Sequence, residues 1–173
     1  PRFDSPPWSL LYLKHQKDGA FWRDRVRPLS EITIPSFLIG GLQDGYRDNV
    51  PDMLMQSKAP IKAIVGPWNH SFPNDADFGP RVEWRDQAVR WFDYWLKGRD
   101  NGVMSDPPVY VFVMGRNQWS AEQDWPLPQT RWTNYFLHSG GHANSISGDG
   151  LLSPAPPGES EDAAFDTYTY DPA

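Results

Sequence analysis

The sequence predicts an α/β fold in its first half, followed by a β-rich second half. Two apolar runs, "ITIPSFLIGG" and "IKAIVG", end in glycine and have the character of strands buried on both faces. The segment "RVEWRDQAVRWFDYWLKG" has apolar residues at helical spacing. Strands that alternate with helices through short links indicate a parallel sheet covered by helices.

The elements of the first half follow from local signals. The strand from Ile32 to Gly41 precedes a short helix in "DNVPDMLMQSK", where Asp48 or Asn49 can act as the N-cap and Pro51 lies in the first turn. The second strand is "IKAIVG". The long helix then ends at Gly98, which fits a C-cap. One face of this helix is predicted to lie in the core and carries Trp84, Ala88, Trp91, Phe92, Trp95 and Leu96.

The pattern changes near residue 105. The segments "PPVYVFVMG", "RWTNYFLHSGG" and "TYTYDP" are strand candidates separated by turn residues, as in a sandwich or jelly roll of which only the opening strands are present. We therefore predict an α/β domain over residues 1–104 and the start of a β-domain over residues 105–173. Residues 99–108 should be an exposed connection, and the stretch from "SGGHANSISGDG" to "LLSPAPPGESEDA" a surface loop.

Composition excludes several classes of function. The 173 residues carry a formal net charge of -6 without a block of like charge, which argues against nucleic acid or an anionic membrane surface as partner. The absence of cysteine excludes disulfides and thiolate metal sites. No apolar run has the length of a membrane span and no signal peptide opens the sequence, which favours the cytoplasm over secretion. Because the first residue is Pro1, we interpret the chain as a piece of a longer protein.

Candidate catalytic residues follow the two strands of the first half. Asp44 lies a few residues beyond Gly41, and His70 lies at the corresponding place after the second strand. Functional groups of parallel sheets lie beyond the carboxyl ends of the strands, and consecutive strands are usually neighbours. Asp44 and His70 should then meet, with a carboxylate oxygen roughly 2.6 to 3.2 Å from an imidazole nitrogen. A carboxylate that orients an imidazole is half of a nucleophile, base and orienter triad.

Other interpretations of the same residues stay open. An Asp-Gly pair is a common turn signal, so Asp44 can be a turn residue alone. A Ca²⁺ loop over Asp44 and Asp48 lacks the required glycine and distal glutamate. His15 and Asp18 are only two ligands, which is too few for a metal site. We expect no metal site, and we expect His138 and His142, which flank a Gly-Gly turn, to be exposed. These two histidines are not candidates for the site.

A series of motifs resembles the cocaine esterase, or CocE/NonD, family of hydrolases. The motifs are "IPSFLIGGLQDGYRD", "IKAIVGPWNHS", "WFDYWLKG", "PPVYVFVMGRNQW", "WPLP" and "YFLHSGG", and they match in order over nearly the whole chain. The resemblance implies the C-terminal part of an α/β-hydrolase domain followed by a jelly-roll domain, with a Ser, Asp, His triad and no cofactor. It implies that Asp44 is the triad acid, that His70 is the general base and that Tyr46 lines the acyl pocket. Trp22 lies in a segment that resembles the return from the family's cap.

One departure from the family pattern is large. The family nucleophile lies in a G-x-S-x-x-G elbow, and no serine of this chain has that spacing. Two hypotheses follow. The favoured one is part of a serine hydrolase that cleaves ester or peptide bonds of small-molecule, acyl-amino acid or peptide substrates, with the serine missing from this chain. The alternative is a non-catalytic ligand-binding protein that uses its β-sandwich half. The sequence leaves association with a second copy open.

Overall fold

The computed structural model describes residues 6–158 and 166–169, which belong to two compact units, residues 1–128 and 129–173. The first unit is a mixed α/β structure with a four-stranded sheet in the order β1-β2-β3-β4. Its strands are β1 (Ser36–Gly41), β2 (Ile61–Gly66), β3 (Val109–Val113) and β4 (Gln118–Glu122), and its helices are α1 (Trp8–Lys14), α2 (Ala20–Arg23), α3 (Asn49–Gln56) and α4 (Arg85–Lys97). None of the helices in the described part of the chain has the length and apolar character needed to cross a membrane.

The two predicted strands are neighbours in the sheet. β1 and β2 run parallel, with Gly41 opposite Gly66 at their carboxyl ends. β3 continues parallel to β2, whereas β4 returns antiparallel to β3. The side chains of β2 alternate between two clusters: Ala63 packs with residues of α3 on one face, and Ile64 packs with Trp68 on the other. Burial on both faces explains why β2 is apolar at every position except Lys62.

The helices begin and end close to the predicted positions. α3 is preceded by Asp48 as its N-cap residue. α4 ends at Gly98, whose φ of 62° is the left-handed conformation that glycine adopts without strain.

Part of the predicted core face of α4 is exposed. Ala88 and Trp91 are buried, and Trp91 contacts Phe37 of β1 at a ring-centroid distance of 6.4 Å. Phe92 and Leu96, by contrast, are 53% and 76% exposed. The prediction that these two side chains lie in the core is therefore wrong for this chain.

A buried lysine connects β2 to the segment that precedes β3. The side chain of Lys62 is only 4% exposed, and its Nζ donates a hydrogen bond of 2.8 Å to the carbonyl oxygen of Val103. Asp106 lies 3.4 Å from the same Nζ and accepts a 2.8 Å bond from Arg90 of α4. Burial lowers the pKa of Lys62, and Asp106 opposes this shift. Burial also disfavours the ionised form of Asp106, but Arg90 and Lys62 outweigh that effect and lower its pKa.

The connection after α4 is only partly exposed. Val103, predicted to lie in an exposed linker, is 1% exposed at the start of the 3₁₀-helix Val103–Ser105. Its carbonyl oxygen accepts the hydrogen bond from the buried Lys62, so this part of the connection belongs to the packed structure. The domain boundary after residue 104 stays a prediction. The compact units divide later, after Pro128, because β3 and β4 extend the sheet of the first unit.

The second unit contains a short antiparallel pair, β5 (Phe136–His138) and β6 (Leu151–Ser153). The sequence analysis placed residues 151–153 in a surface loop, which is wrong because Leu151 pairs with His138. The predicted strand "TYTYDP" is not seen: residues 167–169 are outside any strand, and its remaining residues lie outside the described part. A jelly roll stays a prediction.

We predict that Asp106→Asn lowers the free energy of unfolding by about 2 kcal/mol, because it removes the charge that compensates a buried ammonium group. Urea unfolding at neutral pH, followed by tryptophan fluorescence, measures the change. Glu83→Gln is the matched control, since it neutralises a carboxylate in an ion pair whose side chains are 47% and 61% exposed. Its effect should be clearly smaller. Equal effects of the two substitutions would show that the Lys62 contact does not stabilise the fold.

Candidate active site

Two loops leave the carboxyl ends of β1 and β2 and stay paired beyond the sheet. The backbone N–H of Leu42 donates to the carbonyl oxygen of Gly66 at 2.8 Å, and that of Gln43 donates to the carbonyl oxygen of Trp68 at 3.0 Å. The strand pairing therefore continues for two further residues. Side chains that follow on the two loops are brought to the same edge of the sheet.

The close approach of the loops requires glycine on both strands. A Cβ atom on Gly41 would lie 2.3 Å from the carbonyl oxygen of Trp68, and one on Gly66 would lie 2.6 Å from the Trp68 ring. Trp68 is itself fixed, since it is 1% exposed and its Nε1–H donates to the carbonyl oxygen of Pro80 at 2.9 Å. The glycines and the indole together determine where the following residues lie.

The structure brings Asp44 and His70 together, as the sequence analysis predicts. Asp44 Oδ2 lies 2.9 Å from His70 Nδ1, and Asp44 Oδ1 accepts the backbone N–H of Tyr46 at 2.9 Å. The Asp44 side chain is 16% exposed and that of His70 is 80% exposed. The carboxylate is thus sheltered with both oxygens bonded, whereas the imidazole is open to solvent.

The charge of Asp44 determines the tautomer of His70. The backbone N–H of Tyr46 and, after it, the hydrogen bond to His70 lower the pKa of Asp44. An ionised carboxylate can only accept hydrogen bonds, so in the neutral imidazole the proton must lie on Nδ1. Nε2 then carries the lone pair and is available to take a proton from another group. This arrangement can act as a general base.

The open side of the pair faces a shallow depression of about 220 Å³. Its lining residues are Ile39, Asp44, His70, Ser71, Phe72 and Pro73. Tyr46 is not one of them, but its ring lies 5.6 Å from the His70 ring, centroid to centroid, and its side chain is 67% exposed. A larger cavity of about 500 Å³ adjoins Lys62 and Arg90 and contains neither Asp44 nor His70. Its charged side chains already bind one another, with Asp106 between Lys62 and Arg90, so we place the chemistry at the smaller depression.

The structure adds two residues that the sequence analysis did not connect with the site. Phe72 lines the depression, and its ring stacks on Trp84 at 5.6 Å with an interplanar angle of 10°. Trp84 had been assigned only to the face of α4. In the sequence, the one indication that Phe72 belongs to the site is its position two residues after His70.

The weaker metal candidates do not form a site. His15 stacks on Phe21 at 3.9 Å between ring centroids, and Asp18 lies 3.7 Å from Arg23. His138 Nε2 is bonded to the carbonyl oxygen of Ala155. Within residues 6–158 and 166–169, no three histidine, aspartate or glutamate side chains are grouped to hold a metal ion.

Two protein-family models match the chain in succession. Residues 2–72 match the X-Pro dipeptidyl-peptidase (S15 family) model, and this match includes both Asp44 and His70. Residues 101–173 match the model of the X-Pro dipeptidyl-peptidase C-terminal non-catalytic domain.

Individual relatives agree with the family models. Cocaine esterase of Rhodococcus sp. (strain MB1 Bresler) is 35% identical over 184 residues, covering 96% of this chain and 31% of that protein. A CocE/NonD family hydrolase from Staphylococcus aureus has the same fold over 87% of this chain and 26% of its own, with a TM-score of 0.62 and 18% identity. An aminopeptidase from the marine sediment archaeon Thaumarchaeota archaeon aligns over 80% of this chain and 26% of its own, with a TM-score of 0.56 and 20% identity.

The chain thus spans about a third or less of the length of these relatives. Two successive models of one peptidase group, a match to cocaine esterase along nearly the whole chain and the shared fold of a CocE/NonD family hydrolase show that this chain resembles the CocE/NonD family, as its sequence motifs predict.

Proposed function

We propose that the protein is a serine hydrolase that cleaves ester or peptide bonds, with Asp44 and His70 as the acid and the base of its triad. The observation that carries this proposal is the 2.9 Å contact between Asp44 Oδ2 and His70 Nδ1 beyond two adjacent parallel strands. The family supports the reaction class, since relatives bear the names cocaine esterase and X-Pro dipeptidyl-peptidase.

In the proposed reaction, His70 takes up a proton and gives it away once in each of two successive steps. Nε2 takes the proton of the serine hydroxyl while the serine oxygen forms a bond to the substrate carbonyl carbon. The resulting imidazolium gives that proton to the leaving alcohol or amine as the carbonyl–leaving-group bond breaks. Water then gives a proton to Nε2 while its oxygen forms a bond to the acyl carbon, and the imidazolium returns a proton to the serine oxygen as the acyl–serine bond breaks and the acid leaves. Asp44 holds the imidazole in the required tautomer and stabilises its charged form.

We further propose that the serine and the oxyanion-hole donors belong to sequence outside this chain. No serine of this chain has the spacing of a nucleophile elbow, and the chain spans only 31% of cocaine esterase. The other residues would complete an α/β-hydrolase domain to which residues 1–104 belong, and residues 105–173 would begin a jelly-roll domain. The substrate in this proposal is a small ester, acyl-amino acid or peptide.

We propose that Tyr46 lines the acyl side of the substrate site. The backbone N–H of Tyr46 binds Asp44, which fixes the position of the residue. Its exposed ring lies beside that of His70. An exposed aromatic side chain on a backbone that is held in place offers an apolar surface to a substrate.

The triad proposal predicts large losses of activity on substitution of either residue. In the full-length natural polypeptide that contains this chain, His70→Ala should lower kcat for p-nitrophenyl acetate by at least about 1,000-fold. Asp44→Asn should lower kcat by about 10,000-fold, because the new amide favours the wrong imidazole tautomer. His142→Ala, which removes an exposed histidine of the second unit, is the control and should leave kcat unchanged.

The same assay separates the proposal from its alternative. The 173-residue chain by itself should show neither a burst nor turnover above buffer, because a base without its nucleophile contributes little. Ester hydrolysis by this chain alone, or a full-length protein that is indifferent to His70→Ala, would rule out the triad assignment. The non-catalytic ligand-binding protein would then be the better hypothesis.

A second prediction concerns the carboxyl group of Asp44. His70→Ala should raise the pKa of Asp44, but not to its ordinary value, because the Tyr46 N–H still binds Oδ1. Folding lowers the pKa of Asp44, so the ionised carboxylate stabilises the fold at pH values above its unfolded pKa of about 4. This stabilisation is lost as the pH falls through the lower pKa of the folded state. Carboxyl ¹³C NMR shifts, recorded across the acidic pH range, measure the pKa of Asp44 in the unmodified protein and in His70→Ala.

Asp93 is the internal control for this titration. The hydrogen bond from Lys97 lowers its pKa, and that contact does not involve His70. The pKa of Asp93 should therefore be the same in the unmodified protein and in His70→Ala. An unchanged pKa of Asp44 would contradict a direct bond to the imidazole.

A third prediction tests Tyr46 with two acyl chains. Tyr46→Ala should lower kcat/KM for p-nitrophenyl butyrate about tenfold more than for p-nitrophenyl acetate, because the two extra methylenes lose an apolar contact. Tyr46→Phe should keep the ratio, since it retains the ring and the backbone N–H. If both esters are affected equally by Tyr46→Ala, the ring does not contact the acyl chain.

A further inference from the structure

Phe72 is an exposed aromatic side chain at the catalytic edge of the sheet. Its side chain is 63% exposed, and it lines the same depression as Asp44 and His70. A single exposed apolar residue is common on protein surfaces and indicates nothing by itself. Two features set Phe72 apart from such residues: its position beside His70 and the contact that holds its ring.

The ring of Phe72 is held in place by the ring of Trp84. It stacks on Trp84, whose Nε1–H donates to Asn74 Oδ1 at 2.8 Å. The neighbouring Pro73 is buried, and its carbonyl oxygen accepts the backbone N–H of Val82 at 3.1 Å. The loop after His70 therefore presents a preorganised aromatic surface, so that a ligand binding to it loses little conformational freedom on the protein side.

The chemistry at His70 indicates which part of a substrate meets this surface. This step rests on the proposed function. His70 Nε2 must give its proton to the leaving group, so the leaving atom has to come within hydrogen-bond reach of that nitrogen. Phe72 and His70 line one depression of about 220 Å³. A substituent on a leaving atom bound at His70 can therefore reach the part of the depression that Phe72 lines.

We propose that Phe72 is a specificity-determining residue that selects substrates with an apolar, aromatic leaving group. Aromatic rings favour offset-stacked or edge-to-face contacts with other rings, which adds to the gain from buried area. A benzyl or aryl alcohol, or an amine bearing such a ring, can make this contact. A methyl or ethyl leaving group is too small to cover the Phe72 ring while its oxygen stays at His70.

The test compares two acetate esters in the full-length natural polypeptide that contains this chain. Benzyl acetate and ethyl acetate share their acyl group and both release an alkyl alcohol, and acid release in a pH-stat measures both. Phe72→Ala should lower kcat/KM for benzyl acetate about tenfold and change that for ethyl acetate less than about twofold. The ratio of benzyl butyrate to benzyl acetate should stay constant in this variant, because only the leaving-group side is altered.

Three further variants make the result specific. Phe72→Tyr keeps a stacking ring and should retain the preference for benzyl acetate. Phe72→Leu keeps apolar volume without the flat ring and should lose part of the preference for benzyl acetate. Phe78→Ala is the matched control, because Phe78 is 53% exposed and is not a lining residue of the depression. It should leave both rates unchanged.

The outcomes separate this inference from the proposed function. Equal losses for benzyl and ethyl acetate in Phe72→Ala, or no loss for either, would overturn the role of Phe72 while His70-dependent hydrolysis still supports the triad. A full-length protein that hydrolyses both esters independently of His70 would overturn the triad and the role of Phe72 together, whereas one that hydrolyses p-nitrophenyl acetate through His70 but neither of these esters would overturn only the role of Phe72.

Discussion

The candidate site depends on one close contact between two backbones, that of Gly41 with the carbonyl group of Trp68. A Cβ atom at Gly41 would lie 2.3 Å from that oxygen, so no other residue fits without moving the loop after β2. Because the loops are joined here and by the bond from Gln43, Asp44 and His70 follow at a fixed separation. Trp68 is buried beneath them, so it holds the loop that carries His70 in place against the sheet. The geometry of the pair is thus a property of the backbone and the core.

The two residues of the pair have opposite surroundings, and each suits its proposed role. Asp44 is 16% exposed, and each of its oxygens accepts a hydrogen bond. Such a carboxylate stays ionised and stationary, as an orienting group must. His70 is 80% exposed, and among the described residues its hydrogen bond is made through Nδ1 to Asp44. The other nitrogen can therefore meet a nucleophile and a leaving group that come from elsewhere.

The aromatic residues divide between anchoring the loop after β2 and remaining open beside the site. Trp68 and Trp84 each donate an indole N–H within this loop, to the carbonyl oxygen of Pro80 and to Asn74, so their rings are fixed while their polar atoms are satisfied. The ring of Phe72 is held by stacking on Trp84, and the backbone of Tyr46 is held by its hydrogen bond to Asp44. Both residues are exposed to solvent. On the α4 side of the sheet, the bonds of Lys62 to Val103 and Asp106 hold the connection to β3. Stability and recognition thus rest on different residues of the same unit.

The sequence by itself determined the strands β1 and β2, the helices α3 and α4 and the meeting of Asp44 with His70. Local apolar runs define buried strands, and consecutive parallel strands place their carboxyl ends at one edge. Only the tertiary structure decided that Phe92 and Leu96 are exposed, that β3 pairs with β2 and that Phe72 stands on Trp84. The physical reason is that periodicity along a chain reports which face of an element is apolar. Which neighbour covers that face depends on contacts between residues far apart in sequence, and a local pattern does not contain them.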